Sequence, residues 1–289
     1  MTWSKEEVYL NIYPTKYNCK IIFFRQDKNK IDILSEIDKK IAMNNRVFIE
    51  KSVRNEYIKE ISTCIINEKL KYKKCKSVFI NIQENDVIVK NIKIDSAINK
   101  KDLIKAVDIE IKEFSGSSFN NYCIDYKRLN DIKEETDVQV VLFPKKYIDL
   151  FSELCDQIGI EKRAMHTNFD LLGRLIKRSG GESMKHLNGE LGVVEFRPND
   201  LVISIFYDCM LKNSYVLKKE EFNHEIGENI FVNCDSILAL GKQSIDDIKI
   251  IQDFADIIGA DFENDLEYTK NGKRVSAKEY FQIAAKMVN

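Results

Sequence analysis

The segment from Gly192 to Phe206 has the outline of a phosphate-binding hairpin, because two apolar β-runs are joined by a short polar turn. A phosphate can approach a backbone turn closely only where the turn residues lack a Cβ atom, so glycine is the residue to expect there. The turn instead reads Arg197-Pro198-Asn199-Asp200. The hairpin therefore raises the question of whether the protein uses a nucleotide or has lost that use.

Arg197 has two interpretations. A guanidinium group pairs well with phosphate, so Arg197 could clamp a nucleotide. Asp200 in the same turn would repel a triphosphate unless a metal ion intervened. This repulsion favours Arg197 as an ordinary turn residue.

No other pattern of catalytic or metal-binding residues stands out in the sequence. The histidines His166, His186 and His224 have no partner with ligand chemistry three or four residues away. The motifs of serine hydrolases, zinc proteases and P-loop NTPases are also missing from the sequence. We therefore expect no catalytic residue and no metal site.

A lysine-rich segment runs from Lys69 to Lys76 and includes Leu70 and Tyr72. It favours a solvated helix end, where cations complement the helix dipole. The alternative is electrostatic contact with the inner surface of a membrane, beside a membrane-anchored partner.

The composition is that of a globular protein of about two domains, with 289 residues, 44% hydrophobic residues and a net charge of -1. The balanced charge gives no reason to expect nucleic acid as a partner. The N-terminus shows no signal-peptide pattern, and no apolar run approaches the roughly 18 residues that span a bilayer, so we expect a cytoplasmic protein. Its seven scattered cysteines are then expected to be reduced, structural thiols.

The first half of the chain has the pattern of a β-meander followed by a helix and a further strand. Apolar residues from Val53 to Ile66 recur at helical spacing and predict the helix. The predicted strands are Val8 to Ile12, Asn18 to Arg25, Ile31 to Leu34 and Ser77 to Ile82.

A smaller α+β segment follows. Its predicted elements are a strand from Asp86 to Ile94, a helix from Lys101 to Phe114, strands at Asn121 to Tyr126 and Val138 to Phe143, and a helix after Pro144. After it we expect a strand at Arg163 to His166 and a helix capped by Asn168.

The segment Ser179-Gly180-Gly181-Glu182-Ser183 is the strongest linker signal, and the main boundary is placed there. Beyond it the meander pattern repeats. The predicted elements are strands at Leu191 to Phe196, Leu201 to Tyr207, Met210 to Val216 and Ser236 to Leu240, a helix from Ile248 to Ile258, a turn at Asn271-Gly272 and a terminal helix from Ala277 to Met287.

This order of elements resembles the actin-like fold in its bacterial form, and the chain resembles the PilM family of type IV pilus assembly proteins. It is more distantly similar to FtsA and to the cytoplasmic domain of GspL. The residues that carry the resemblance are the helix Lys101 to Glu110 with the strand Tyr122 to Tyr126, and the later segments Val138 to Phe143, Ile158 to Ile160 and Asn168 to Leu175.

The resemblance implies an α/β protein of actin-like (ASKHA/FtsA-type) fold, with two α/β halves, a small inserted α+β subdomain and a reduced second half. The expected first subdomain comprises 1–95 and 163–180, and the inserted subdomain 96–162. The expected second subdomain, with its C-terminal helix, comprises 181–289.

The resemblance also implies where a nucleotide would bind, and the residues at those positions are degenerate. At the first phosphate loop, an acid-x-Gly turn in the family, Asn11 stands at the acid and Tyr13 at the glycine. At the second loop Glu195 stands at the acid and Arg197 at the glycine, and only Gly241 remains of a glycine run under adenosine. The Tyr13 ring would occupy the space of a phosphate oxygen, and Asn11 lacks the charge to organise a Mg²⁺-bound water.

The passage from Lys218 to Asp235 is also shorter than the subdomain that the family has there. We therefore expect no cofactor and no ATP hydrolysis. Binding of ATP and Mg²⁺ with weak ATPase activity is the alternative.

The resemblance implies a non-enzymatic scaffold, cytoplasmic and peripheral to the inner face of the cell membrane. It would bind the N-terminal peptide of a PilN-like bitopic protein in a groove between the first half and the inserted unit, whose lining residues the sequence does not specify. The assembly ATPase and the platform protein are further expected partners. The alternatives are an actin-like ATPase and a GspL-like subunit of a type II secretion system.

Overall fold

The computed structural model describes residues 7–27, 30–72, 75–95, 100–132, 135–179, 189–207, 210–241, 249, 251–253, 255–256, 260–263, 267–270 and 273–276. The chain divides into two compact units, the larger comprising 1–83 with 150–289 and the smaller comprising 84–149. The subdomain boundaries expected from the resemblance stay predictions. Several predicted features lie outside the described residues, namely the linker at 180–183, Ile248, Phe254, Ile257, Ile258, the turn Asn271-Gly272 and the terminal helix from Ala277 to Met287.

The first half of the larger unit is built on a five-stranded sheet of order β3-β2-β1-β4-β8. The first three strands form an antiparallel meander, and β4 and β8 add to β1 in parallel. Its elements are β1 (Val8–Pro14), β2 (Cys19–Asp27), β3 (Lys30–Lys39), α1 (Asn45–Ile49), α2 (Lys51–Lys69), β4 (Cys75–Ile82), β8 (Lys162–Thr167) and α5 (Asn168–Ser179).

The second half repeats this plan with a sheet of order β11-β10-β9-β12-β13. Again three antiparallel strands are extended by two parallel ones. Its elements are β9 (Glu190–Phe196), β10 (Asp200–Tyr207), β11 (Met210–Lys218), a 3-10 helix (Lys219–Glu221), α6 (His224–Phe231), β12 (Cys234–Gly241), β13 (Asp261–Glu263) and a hairpin of β14 (Glu267–Lys270) with β15 (Lys273–Ser276).

The two sheets have the same strand order and the same strand directions, so β1 and β9 occupy equivalent central places. All seven residues of β1 are buried, as expected of a strand with neighbours on both sides and layers on both faces. The equivalence also relates the ends of the two strands: Pro14 pairs with Cys19 as Phe196 pairs with Leu201, so Tyr13 corresponds to Glu195 and Thr15 to Arg197. These ends build the candidate site.

Each half has its own apolar core. In the first half α2 buries Tyr57, Ile58, Ile61 and Ile65, which recur at helical spacing. In the second half Phe231 and Ile251 are fully buried among residues of β9, β10 and β12. Each sheet thus packs against its own core, and these two cores position the polar residues at the strand ends.

The smaller unit has a three-stranded antiparallel sheet of order β5-β7-β6, with α3 on one face. Leu103, Val107 and Ile111 of α3 pack on Val138 and Val140 of β7. Its elements are β5 (Ile88–Asp95), α3 (Lys100–Ser115), a 3-10 helix (Gly116–Asn121), β6 (Tyr122–Ile132) and β7 (Glu135–Pro144). Helix α4 (Lys145–Ile158) begins in this unit and ends in the larger one.

The passage after β11 differs from the sequence prediction, which left it without secondary structure. It contains α6, whose first turn is capped by Asn223: the Asn223 Oδ1 accepts a hydrogen bond from the Ile226 amide at 3.0 Å. The cap and the apolar residues Ile226 and Phe231 would have predicted this helix.

No helix in the described part of the chain has the length and apolar character needed to cross a membrane. Six cysteines are free thiols, and four of these (Cys19, Cys75, Cys155 and Cys234) are buried. Cys209 lies outside the described residues.

Candidate functional site

The carboxyl ends of β1 and β9 meet at the junction of the two halves. Tyr13 and Glu195 extend from these strands, and Arg197 follows β9 directly. All three are buried, with only 7%, 3% and 4% of their surfaces exposed. Burying a glutamate and an arginine together is costly unless their polar atoms are paired, so their contacts decide what this site can do.

Tyr13, Glu195 and Asn168 form a closed triangle of hydrogen bonds. The Tyr13 hydroxyl donates to Glu195 Oε1 at 2.6 Å, while Asn168 Nδ2 donates to the Tyr13 hydroxyl at 2.8 Å and to Glu195 Oε2 at 2.7 Å. Both carboxylate oxygens of Glu195 are therefore engaged. The triangle joins β1 and the start of α5 in the first half to β9 in the second.

Arg197 completes the contact between the halves. Its Nη1 and Nη2 each lie 3.2 Å from the carbonyl oxygen of Gln83, just after β4. The guanidinium carbon is 5.0 Å from the centre of the Tyr13 ring, and Nε is 3.8 Å from Glu195 Oε1. We call Tyr13, Gln83, Asn168, Glu195 and Arg197 the interhalf network.

The burial of Arg197 shows that its interpretation as an ordinary turn residue is wrong. An ordinary turn arginine extends into solvent, whereas this guanidinium is enclosed by a tyrosine ring, a carbonyl oxygen and a carboxylate. The Nη1 and Nη2 groups, which a phosphate clamp would present, donate to the carbonyl oxygen of Gln83 instead.

Burial also fixes the protonation of Tyr13. It raises the pKa of the phenol well above its ordinary value, although the nearby Arg197 acts in the opposite direction. The hydroxyl thus stays protonated at neutral pH and donates to Glu195. Burial raises the pKa of Asp200 as well, against the opposing effect of Arg197.

Further polar side chains extend the network along the junction. Asn81 Nδ2 donates to Asn11 Oδ1 at 2.9 Å, and Gln83 Nε2 donates to Ser214 Oγ at 3.1 Å. The side-chain oxygens of Asn81, Gln83 and Asn168 accept no hydrogen bond from the described part of the chain. A bound water, which can donate, would satisfy such acceptors.

Four backbone amides of the two turns are used within the turns themselves. After β1, the Thr15 amide donates to Asn18 O at 2.7 Å, and the Thr15 hydroxyl accepts from the amides of Tyr17 and Asn18 at 3.3 and 3.1 Å. After β9, the Arg197 amide donates to Asp200 O at 3.0 Å. A phosphate-binding nest needs amides that point outward together. These amides are committed to closing the turns.

Gly241 has a structural reason to be glycine. It lies at the end of β12 with a φ of +88°, and a Cβ atom built there would come within 2.5 Å of the carbonyl oxygen of Phe196. Only glycine permits this close approach of β12 to β9. Its presence therefore carries no information about adenosine.

The five predicted positions divide as follows. The interhalf network brings together three of them, Tyr13, Glu195 and Arg197. Asn11 lies beside the network and accepts a hydrogen bond from Asn81. Gly241 pairs with Phe196 at the end of β9. Whether they bind nucleotide stays a prediction.

Sequence reasoning missed Gln83 and Asn168 as members of the network. The prediction that Asn168 caps α5 is wrong, because its amide nitrogen bonds to Tyr13 and Glu195 and its oxygen accepts no bond from the described residues. The available signal was positional: polar residues follow the parallel strands β4 and β8, whose carboxyl ends meet at one edge of the sheet.

Among the described residues, no three His, Cys, Asp or Glu side chains cluster as a metal site would require. His166 lies beside Phe79, with ring centres 6.4 Å apart. His224 forms a surface pair with Glu228 at 3.2 Å. His186 lies outside the described residues.

No protein-family model matches the chain, and no curated protein matches it in sequence. Solved structures do match. A chain of the PilM-PilN type IV pilus biogenesis complex is 12% identical with a TM-score of 0.64, and the match covers 89% of this chain and 87% of that one.

Two further structures are similar at a TM-score of 0.51. One is a Bacteroides thetaiotaomicron protein with actin-like ATPase fold and unknown function, 11% identical, matched over 99% of this chain and 97% of that one. The other is the cytoplasmic domain of EpsL, an inner membrane component of the Vibrio cholerae type II secretion system, 9% identical, matched over 82% and 84%. With its two sheets of matching order, the chain therefore has the actin-like fold.

Proposed function

We propose that this protein is a cytoplasmic scaffold of a type IV pilus assembly complex, which binds a PilN-like bitopic membrane protein and does not hydrolyse ATP. The observation that carries the proposal is the interhalf network. Its side chains fill the junction at which actin-like ATPases hold phosphate. The choice of partner rests on the likeness to the PilM-PilN complex.

Charge and hydrogen bonding at the junction both argue against a phosphate group. Glu195 is buried, and the Arg197 guanidinium opposes its negative charge with Nε 3.8 Å from Oε1. The side-chain oxygens of Asn168, Asn81 and Gln83 lack a donor among the described residues. A phosphate would bring negative charge close to Glu195, and its oxygens would accept hydrogen bonds and leave these three acceptors unsatisfied.

The network also supplies what a nucleotide would otherwise supply, namely a connection between the halves. Tyr13 and Asn168 from the first half hold Glu195 of the second, and Gln83 holds Arg197. A scaffold benefits from such a fixed junction, because a rigid surface loses less conformational entropy when a partner binds.

The partner proposed is the N-terminal cytoplasmic peptide of the bitopic protein, bound as an extended segment. Through it the scaffold would lie at the inner face of the membrane and contact the assembly ATPase and the platform protein. The similarity to the EpsL cytoplasmic domain favours a second candidate, a scaffold of a type II secretion system with the same kind of partner.

The test is a binding assay between the full chain and synthetic N-terminal peptides of bitopic proteins from neighbouring genes, with scrambled peptides as the control. Saturable binding of one peptide and not of its scrambled form supports the proposal. Failure of every such peptide to bind at high concentration contradicts it. Pilin or pseudopilin genes beside the partner's gene would distinguish the two candidate systems.

A further inference from the structure

The end of α2 exposes apolar side chains where a soluble surface would normally be polar. Leu70, which directly follows the helix, is 80% exposed, and Ile66 is 38% exposed. They are four residues apart and therefore lie on the same side of the helix. We call Ile66, Lys69, Leu70 and Lys71 the α2 tip.

The position of Leu70 is fixed by the backbone. Its amide donates to the carbonyl oxygen of Ile66 at 3.1 Å, continuing the helix by one residue. The side chain therefore projects from a folded helix end, and its exposure is a property of the fold.

The sequence around these apolar side chains is rich in lysine. Between Glu68 and Lys76 the sequence has five lysines and one glutamate, in a chain whose net charge is -1. Lys69 Nζ donates to the carbonyl oxygen of Ile158 at 2.8 Å and so caps the end of α4. Lys71 is 63% exposed and forms an ion pair with Glu68 Oε2 at 2.7 Å.

We propose that the α2 tip inserts into the headgroup region of an anionic membrane. Exposed leucine and isoleucine side chains in a lysine-rich segment match such a surface, where apolar groups enter the interface and cations attract anionic lipids. A protein partner would need a contact of about 800 Å² on this side, far more than the two side chains can provide. The tip alone gives weak binding, as expected of a surface that acts together with a membrane-anchored partner.

The tip lies far from the interhalf network. Strand β4 starts beside the end of α2 and leads to Gln83 at its other end, so the two sites are separated by the length of the strand, roughly 25 Å. Substitutions at the tip therefore leave the network intact. The inference goes beyond the scaffold function, and its test uses the chain alone.

The test is co-sedimentation of the full chain with vesicles of phosphatidylcholine alone and of equal parts phosphatidylcholine and phosphatidylglycerol. We expect binding to the anionic vesicles only, weakened roughly tenfold by Leu70→Ser and roughly fivefold by Lys71→Gln. The matched control is Ile49→Ser, because Ile49 is 81% exposed at the end of α1, near the opposite end of α2 from the tip. Unchanged melting temperatures show that each variant folds.

Three results would overturn the inference. The first is that the natural protein does not bind anionic vesicles. The second is that Leu70→Ser binds them as well as the natural protein does. The third is that Ile49→Ser weakens binding as much as Leu70→Ser does. A negative result here leaves the peptide-binding proposal untouched, since that assay contains no lipid.

Discussion

The Arg197 guanidinium of the second half lies over the Tyr13 ring of the first, with the guanidinium carbon 5.0 Å from the centre of the ring. Tyr13 lies within the central strand β1, Arg197 directly follows the central strand β9, and each precedes a proline. The junction of the two halves thus places a cation on a π-face. Neither residue type leaves room for a phosphate between them.

The hydrogen bond from Tyr13 to Glu195 is expected to stabilise the junction. Removing the hydroxyl in Tyr13→Phe takes a donor from a buried carboxylate and should lower the free energy of unfolding by roughly 1 to 3 kcal/mol. Urea denaturation measures the change. Tyr17→Phe is the control, because the Tyr17 hydroxyl is not hydrogen-bonded to any described residue; it should change stability by less than about 0.5 kcal/mol. Equal effects of the two substitutions would contradict the network.

Replacing Arg197 should be more damaging. Arg197→Leu leaves Glu195 buried without its cation and the Gln83 carbonyl oxygen without its donors, which should cost about 3 to 5 kcal/mol. Denaturant unfolding again gives the value. The exposed pair of Arg46 and Glu50, 2.7 Å apart, provides the comparison, and Arg46→Leu should cost about 0.5 kcal/mol or less.

A thermodynamic cycle sharpens this prediction. Glu195→Gln removes the buried negative charge, so the cost of Arg197→Leu should be smaller in that background than in the natural protein. Additive effects of the two substitutions would mean that the charges do not interact.

Gly241 should tolerate no side chain. In Gly241→Ala the backbone keeps a positive φ and the new Cβ atom lies 2.5 Å from Phe196 O. In Gly159→Ala the φ is +64°, but no atom lies within 4 Å of the new Cβ atom. Gly159→Ala therefore measures the backbone strain alone, about 1 to 2 kcal/mol. Denaturant unfolding measures the loss of unfolding free energy in both variants. If Gly241→Ala loses no more than Gly159→Ala, β12 does not approach β9 as described.

The alkaline pH dependence of stability should reveal the raised pKa of Tyr13. In the unfolded chain this phenol ionises near pH 10, while in the folded protein it stays protonated to higher pH. Its contribution is thus present below pH 10 and is lost as the pH rises toward the folded-state pKa. The natural protein should lose stability above pH 10 more steeply than Tyr13→Phe, and parallel curves would argue against a protonated, buried phenol.

Much of the fold could be predicted from the sequence, because the meanders and their helices have strong periodic patterns. The predicted strands of the two sheets are present, with ends that extend by a few residues, as β11 does to Lys218, but the edge strand β13 of the second sheet was not predicted. The helix α6 was missed because its eight residues are few and lie in a polar passage.

The site was harder to predict, since its contacts join residues far apart in the chain. Sequence could identify Tyr13 and Arg197 as replacements for glycine, yet could not show that they stack on each other. Nor could local patterns distinguish Asn168 as a helix cap from Asn168 as a partner of Glu195, 27 residues away. Such choices are made by tertiary packing, which overrides local preference.

Calorimetric titration of the natural protein with Mg-ATP tests the central claim most directly. The network predicts no saturable heat and no rise in melting temperature, because Tyr13 fills the junction and the amides of Thr15, Tyr17, Asn18 and Arg197 are bonded within their turns. One-site binding at micromolar concentrations would contradict it and favour an actin-like ATPase that holds the nucleotide in another way.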